Sequence, residues 1–590
     1  MSGAARERIH LSPDLVLLHA PSVYDFRGQS ILYGPVSDLV PSTPVFEMYP
    51  IGFTTIAEYL ERQGWRVRII NLALRMLRDA HFDVEAVLRR LHPRAFGIDL
   101  HWLPHAHGAL AVAELVKRLH PDTPVILGGF SSTYYYEELL HLPYVDYVVR
   151  GDSSEEPMRQ LMECIRAGCE PVDVPNVAWR TRDGAVQANP MTYVPAGIDE
   201  VALDYGYVVR SVATYRDLLS TVPFHNWLDY PITAALSVRG CTRSCVTCGG
   251  SAYTFRHVYG RQCPAFRSPE KLAEDVRHIA RFINGPIFIL GDLRQAGDDY
   301  ARRFLDAVRG YAGPVIVELF GPASAEYLRQ VKQALPNFTL EVSLESHDPA
   351  VRRAFGKSYG NEAIEETLRA ALEAGCQRLD VFFMIGLPQQ TFESVLATVD
   401  YCGDLLDRLE PWAQGRLFPF ISPLAPFVDP GSAVFEQPER YGYRFFARTL
   451  EEHRRALVQP SWKYVLNYET QWMTRDEIVA STYEAGLRLN RLKARHGLIT
   501  AAQAEATEAR IKMAIALSAQ IDAVMTLPEG AERQARLRAL KPLVDQANMS
   551  TVCDKRELEL PVSFLKLNIP RAAWYFIKGE ARRWLGRRTA

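Results

Sequence analysis

Three cysteines, Cys241, Cys245 and Cys248, stand in a Cys-x3-Cys-x2-Cys spacing directly after a β-type run, Ile232 to Val238. Three thiolates on one short loop hold three irons of a [4Fe–4S] cluster and leave the fourth iron open. An open iron can chelate a substrate or cosubstrate and pass an electron straight into it, whereas a fourth cysteine ligand would leave mainly electron storage. The competing readings are a zinc site or plain thiols. Zinc calls for a fourth Cys or His at matching spacing, which this stretch lacks. Cys263 is the nearest further thiol and a candidate spare ligand. Cys164, Cys169, Cys376, Cys402 and Cys553 are scattered and read as core or surface thiols.

The elements that must position this loop are legible as two β/α alternations followed by helices. At 590 residues the chain is long enough for two to four domains. A formal charge of -2 argues against bulk nucleic-acid binding. Met1 to His10 is polar and basic without an apolar export region after it, and no run of 18 apolar residues occurs. The expectation is a cytoplasmic chain with reduced thiols. Strand-like runs at Leu15–Leu18, Val67–Ile70, Phe96–Leu100, Val125–Leu127 and Tyr147–Val149 alternate with helical patterns, predicting a parallel, doubly wound sheet over 1–190. Ligands bind at the carboxyl ends of such strands, here marked by Leu100-His101, Gly128-Gly129, Ser131 and Gly151. Residues 191–225 read as a linker. A second alternation runs over 226–428, with strands at Ile232–Val238, Ile287–Leu290, Val315–Phe320, Leu340–Leu344, Leu379–Ile385 and Leu417–Ile421, which predicts a six-unit partial barrel. Residues 429–590 are mostly helical, with a capping box at Thr474/Glu477 and a cap at Thr500.

The segment Cys241 to Cys248 resembles the signature of the radical S-adenosylmethionine (SAM) superfamily. Glu345-Ser346-His347-Asp348 and the stretch from Ala374 to Met384-Ile385-Gly386-Leu387-Pro388 are similar to two further segments of that family. Thr247 stands where an aromatic is common, which implies altered packing around SAM. The resemblance implies that the open iron binds SAM through its amino and carboxylate groups. The reduced cluster then cleaves it to methionine and a 5′-deoxyadenosyl radical that abstracts hydrogen from an unreactive carbon. By the same resemblance Gly291 and Asp292 contact the SAM amino group, Ser343 and Glu345 its ribose or carboxylate, and Gly386 and Pro388 its adenine.

The N-terminal unit is similar to the cobalamin-binding domain of one large radical SAM subclass, through Pro50-Ile51-Gly52, Gly128-Gly129 and Val149-Arg150-Gly151-Asp152 in order. The implied cobalamin contacts are Leu100, His101, Gly128, Gly129, Ser131 and Gly151. Asp99-Leu100-His101 resembles the Asp-x-His-x2-Gly element whose histidine ligates cobalt elsewhere. Position 104 is Pro, however, and the element follows the third strand rather than the first. His101 is therefore not read as a cobalt ligand; His101 or Trp102 is expected to line the lower face of cobalamin.

The fold expected is thus α/β: a Rossmann-like cobalamin-binding domain, a (βα)6 partial barrel holding a [4Fe–4S] cluster and SAM, and a mostly helical C-terminal domain. The subclass implies methylation of an unactivated carbon, with cobalamin-assisted cyclisation or C–C bond formation on a lipid- or isoprenoid-like substrate as the alternative. A non-catalytic iron–sulfur redox sensor is the reading outside enzymes. A small-molecule substrate and a reductant such as flavodoxin or ferredoxin are the implied partners. Residues 419–470, rich in Pro, Tyr and Trp and including Pro426, read as a wall closing the substrate cavity. Aromatic and basic residues interleave over 570–588, the pattern of an interfacial helix on the inner face of a membrane.

Overall fold

The computed structural model describes residues 12–201, 203–423, 427–548, 552–562 and 565–588, with side chains through 578. Pro426 and the side chains of 579–588 therefore lie outside the described residues. The first sheet has seven strands in the order β2-β1-β3-β4-β5-β6-β7: β1 (Leu15–His19), β2 (Val67–Asn71), β3 (Ala95–Asp99), β4 (Val125–Gly128), β5 (Tyr147–Val149), β6 (Val177–Arg180) and β7 (Val186–Ala188). Strands β1 to β5 are parallel, with Leu15 opposite both Val67 and Ala95. Every residue of β1 is buried because helices cover both faces, so the strand reads as a continuous apolar run rather than an alternating one. Each leucine there contributes about 1.5–3 kcal/mol by leaving water, and an aspartate at Leu17 would break the layer.

The sheet is not purely parallel as expected. The hairpin of β6 and β7 adds two antiparallel edge strands, turning at Asp183-Gly184 with Gly184 at φ +87°. The stretch 191–225 is not a bare linker either. It contains the helix Tyr205–Tyr215, whose Tyr207 is fully buried against the first sheet's core. Its buried face also uses Gly206, Ser211 and Ala213, so hydrophobic periodicity is faint.

The second sheet holds six parallel strands in the order β15-β14-β13-β12-β11-β8. They are β8 (Thr233–Leu236), β11 (Ile287–Leu290), β12 (Val315–Leu319), β13 (Phe338–Glu345), β14 (Leu379–Ile385) and β15 (Leu417–Pro423). Consecutive pairing with intervening helices gives the partial barrel. The run Ile232–Val238 is broken near Ser237. Val238–Arg239 (β9) turns away to pair antiparallel with Ala265–Phe266 (β10), which sends the chain into the cysteine loop.

The C-terminal helices Arg475–Arg495 and Ala501–Met525 begin with the capping boxes Thr474/Glu477 and Thr500/Gln503. A short hairpin, β16 (Tyr443–Phe445) with β17 (Tyr468–Thr470), precedes them. Between its strands the chain reaches back to the first domain: the Leu32 N–H donates to the Pro460 carbonyl at 2.9 Å, and the Trp462 N–H to the Leu32 carbonyl at 2.8 Å. Trp462 is fully buried over Gly34, where any side chain would collide with the indole.

Candidate functional site at the facing ends of two sheets

A cavity of about 590 Å3 lies over the carboxyl ends of the first sheet. Gly128, Gly129 and Gly151 line it, as do Asp99, His101 and the helix start Pro50-Ile51-Gly52. A Cβ at Gly52 would meet nothing within 4 Å, and one at Gly128 only the Val149 carbonyl at 3.7 Å. These positions form a floor with no side chains, the shape a flat macrocycle requires. Gly129 adopts φ +114°, and a Cβ there would fall 2.3 Å from His101 Cα. Leu100 and Ser131 do not line the cavity. Leu100 is fully buried with its N–H on the Gly128 carbonyl, and its carbonyl accepts from Ser132. Ser131 is also buried.

Beneath the floor, the Asp99 carboxylate accepts from Nδ1 of His101 at 2.7 Å and Nδ1 of His19 at 2.9 Å. Burial pushes the Asp99 pKa up, but the two imidazoles outweigh it and hold the group well below the usual carboxylate range. His19, Asp99 and His105 bring ligand-type atoms within 4.8 Å of one another. Both ring nitrogens of His19 are engaged, since Nε2 lies 2.9 Å from the Phe46 carbonyl, so this is a hydrogen-bonded set rather than an open ligand shell.

A second cavity of about 490 Å3 opens at the carboxyl ends of the barrel strands and is lined by Cys241, Cys245 and Cys248. The N–H of Arg243 donates to Cys241 Sγ at 3.3 Å and that of Gly250 to Cys248 Sγ at 3.2 Å. Burial pushes the Cys245 thiol up to about 11 and raises Cys241 and Cys248 as well. Cys263 is exposed and does not line this cavity. Three cysteines lining one cavity, two of them with backbone donors, and no fourth among the lining residues fit a cluster with one open iron. Thr247 lines the same cavity.

Gly291, Ser343 and Glu345 line the cavity, while Asp292, Gly386 and Pro388 do not. Asp292 caps the turn Leu293–Ala296, pairs with Arg294 at 2.6 Å and accepts from the Phe320 N–H at 3.0 Å, so its oxygens are spent on the Arg294 guanidinium and the backbone. Gly386 packs under the Tyr468 hydroxyl and Pro388 is buried; Met384 fills the cavity wall instead. Two groups that sequence reasoning missed are Glu318 and Lys357. Glu318 accepts from the Gly291 N–H at 3.1 Å, and burial raises its carboxyl to about 7. Lys357 Nζ lies 2.6 Å from both the Ser343 carbonyl and Glu345 Oε1. Glu345 Oε2 is buried with no hydrogen-bond partner, and Glu345 sits at a β-bulge with φ +68°. An orphaned carboxylate oxygen in this cavity fits a ligand that brings a cation or hydroxyl.

The two cavities share Val238, Gly240, Gly250 and Leu290 as wall residues. Side chains from both domains tie the seam. Arg239 meets Glu155 at 2.5 Å, Arg261 Nη2 donates to Asp152 Oδ1 at 3.0 Å, and Trp102 Nε1 donates to Asp429 Oδ1 at 3.1 Å. The other Asp429 oxygen takes the Gly249 N–H at 2.9 Å, holding the cysteine loop against the first domain. Phe427, Val428 and Asp429 line the barrel cavity, so the start of the 419–470 region does form a wall.

The B12 binding domain family matches residues 39–161, and the Radical SAM superfamily matches residues 236–402. These spans carry the two strand-end floors that face one another. The chain carries a B12 binding domain followed by a radical SAM domain. Its cofactors are those of the two domains: cobalamin, a [4Fe–4S] cluster and SAM. Among curated relatives is the anaerobic magnesium-protoporphyrin IX monomethyl ester cyclase of Rubrivivax gelatinosus, 24% identical over 54% of the chain and 55% of the relative. Another is the hopanoid C-3 methylase of Methylococcus capsulatus, 28% identical over 42% of the chain and 44% of the relative. The chain thus spans about half the length of these two. Among solved structures, the radical SAM methyltransferase TsrM of Kitasatospora setae, with cobalamin and a [4Fe–4S] cluster bound, has the same fold. Its TM-score is 0.56 at 17% identity, covering 91% of this chain and 99% of that one.

Proposed function

We propose that this chain is a cobalamin-dependent radical SAM enzyme that methylates an unactivated carbon of a largely apolar substrate. The observation that carries the reading is that the two cavities abut, with Val238, Gly240, Gly250 and Leu290 in the walls of both, which sets the two cofactor floors side by side. When bound, SAM on the cluster supplies a hydrogen abstractor and cobalamin a transferable methyl group. The protein's part is to hold and to exclude. Cys241, Cys245 and Cys248 hold the cluster, and the N–H groups donated to two of their sulfurs temper its charge. Glu318, with its carboxyl raised to about 7, and Glu345, backed by Lys357, are the polar groups for SAM. Leu236, Phe255 and Leu290 give the first cavity an apolar side that keeps water from a reactive centre. The implied electron donor is a flavodoxin or ferredoxin type of reductant.

A cobalamin-assisted cyclisation is the second reading, favoured by the similarity to the protoporphyrin ester cyclase over 54% of the chain. The hopanoid methylase similarity favours methylation and a lipid-like substrate. The test is anaerobic reconstitution of the full-length protein, incubated under strong reductant with methyl-labelled SAM and an apolar lipid extract. Expected are 5′-deoxyadenosine and a labelled product. A product without label moves the assignment to cyclisation. A fully loaded protein that forms no deoxyadenosine overturns the enzyme reading and leaves a redox sensor.

A further inference from the structure

Over 569–578 the helix Ile569–Arg588 carries apolar side chains on two sides, and the fold uses one of them. Asn568 caps its start, with Oδ1 accepting from the Arg571 N–H at 3.2 Å. Tyr575 packs edge-on against Phe282 at 5.0 Å between ring centroids, and the Arg216 guanidinium lies 5.1 Å over Phe576. That side is seated on the helix Tyr205–Tyr215. Trp574 and Ile577, three residues apart and therefore on one face, are 62% and 60% exposed. At the helix start Leu565 and Ile569 are also exposed, as are Leu218 and Leu219 just beyond Arg216. Of the twelve exposed large apolar side chains among the described residues, six (Leu218, Leu219, Leu565, Ile569, Trp574 and Ile577) lie on these two segments. Single exposed leucines are ordinary; half of them gathered on two adjoining segments mark an interaction site.

Charge identifies what covers it. Residues 570–588 carry six basic residues (Arg571, Lys578, Arg582, Arg583, Arg587, Arg588) against one acid, Glu580, which is +5 in a chain of net -2. A two-fold contact with a second copy would press the same basic segment against itself. An anionic lipid surface satisfies both features, with tryptophan at the interface, aliphatic side chains below the headgroups and basic residues paired with phosphate. No helix among the described residues is long and apolar enough to cross a membrane, so the helix would lie in the interface plane. We propose that this corner, Leu218, Leu219 and the outer face of the last helix, docks the protein on an anionic bilayer. This stands independently of the reaction proposed above, because its readout needs no cofactor.

The experiment is flotation of the full-length protein with phosphatidylcholine vesicles, with and without phosphatidylglycerol. The variant Trp574→Ser/Ile577→Ser spares the Tyr575 side that seats the helix. The bound fraction should fall about tenfold in the variant, and again when phosphatidylglycerol is omitted or salt is raised. If that variant's thermal melt is altered, Leu218→Ser/Leu219→Ser serves as the second reading of the same face. Equal flotation of wild type and a well-folded variant, or none at all, overturns the proposal. So does a dimer in sedimentation that the same substitutions abolish, which would assign the face to a second copy.

Discussion

Lys357 is buried at the barrel cavity, with its ammonium shared between the Ser343 carbonyl and the Glu345 carboxylate. Removing one partner of such a pair leaves an uncompensated buried charge. Lys357→Met should therefore lose about 3–5 kcal/mol in urea denaturation, and adding Glu345→Gln should restore most of it. Glu341, nearer the start of the same strand, is raised from 4.5 to about 8, by burial first and by Asp380 and Glu318 second. Between those values the folded chain keeps a proton that the unfolded chain has released, so this group makes stability fall as pH rises. Glu341→Gln removes that slope. Its thermal midpoint should gain on the wild type progressively from pH 5 to 8 and then level off, as calorimetry across pH can follow. At this scale the cysteine triplet was legible because all three thiols lie on one short loop. Glu318 was not, because an acid in an apolar strand gains meaning only when the adjacent strand brings Gly291 beside it. Asp292 lies off the cavity lining for the converse reason: its carboxylate is engaged by the turn it caps.

Among the elements, the turn after β4 makes the strongest demand on sequence. Gly129 holds φ +114°, and its missing Cβ leaves room for the His101 backbone. Gly129→Ala should push that loop out of place and lower cobalamin occupancy at least about tenfold, while iron content stays near wild type. Absorbance titration of cobalamin alongside iron analysis checks both halves. Strand positions could be read from sequence because the inner strands are buried on both faces and appear as unbroken apolar runs. The β6–β7 hairpin was hidden, although Asp183-Gly184 marks its turn. Its strands are short and lie at an edge, and β7 is largely exposed, so neither apolar runs nor alternation announce them. The helix Tyr205–Tyr215 escaped because small and polar residues share its buried face.

Across the whole molecule, the two domains are joined by charges that sit far apart in the chain. Arg261 and Asp152 are separated by 109 positions, and each is nearly inaccessible to solvent. No sequence pattern announces such a pair, because each residue is a commonplace surface type until the domains close on one another. Cutting it should uncouple the halves: Arg261→Ala is expected to cost about 3–5 kcal/mol. It should also split a single calorimetric transition into two, with the first domain melting earlier. A single unshifted transition would show that the Trp102–Asp429 and Arg239–Glu155 contacts suffice.

The wall between the cavities has a consequence for how this scaffold can change its diet. Two of its four residues are glycines, and a side chain on Gly240 would press into Arg261 and Pro264 on the far side. Only Val238 and Leu290 place side-chain bulk in that shared wall. Its thickness is therefore an adjustable trait encoded at two codons, distinct from the cysteines, the strand-end glycines and the carboxylates proposed to hold the cofactors. Lineages could thin or thicken that wall, and so exchange one substrate girth for another, while inheriting the reaction machinery intact.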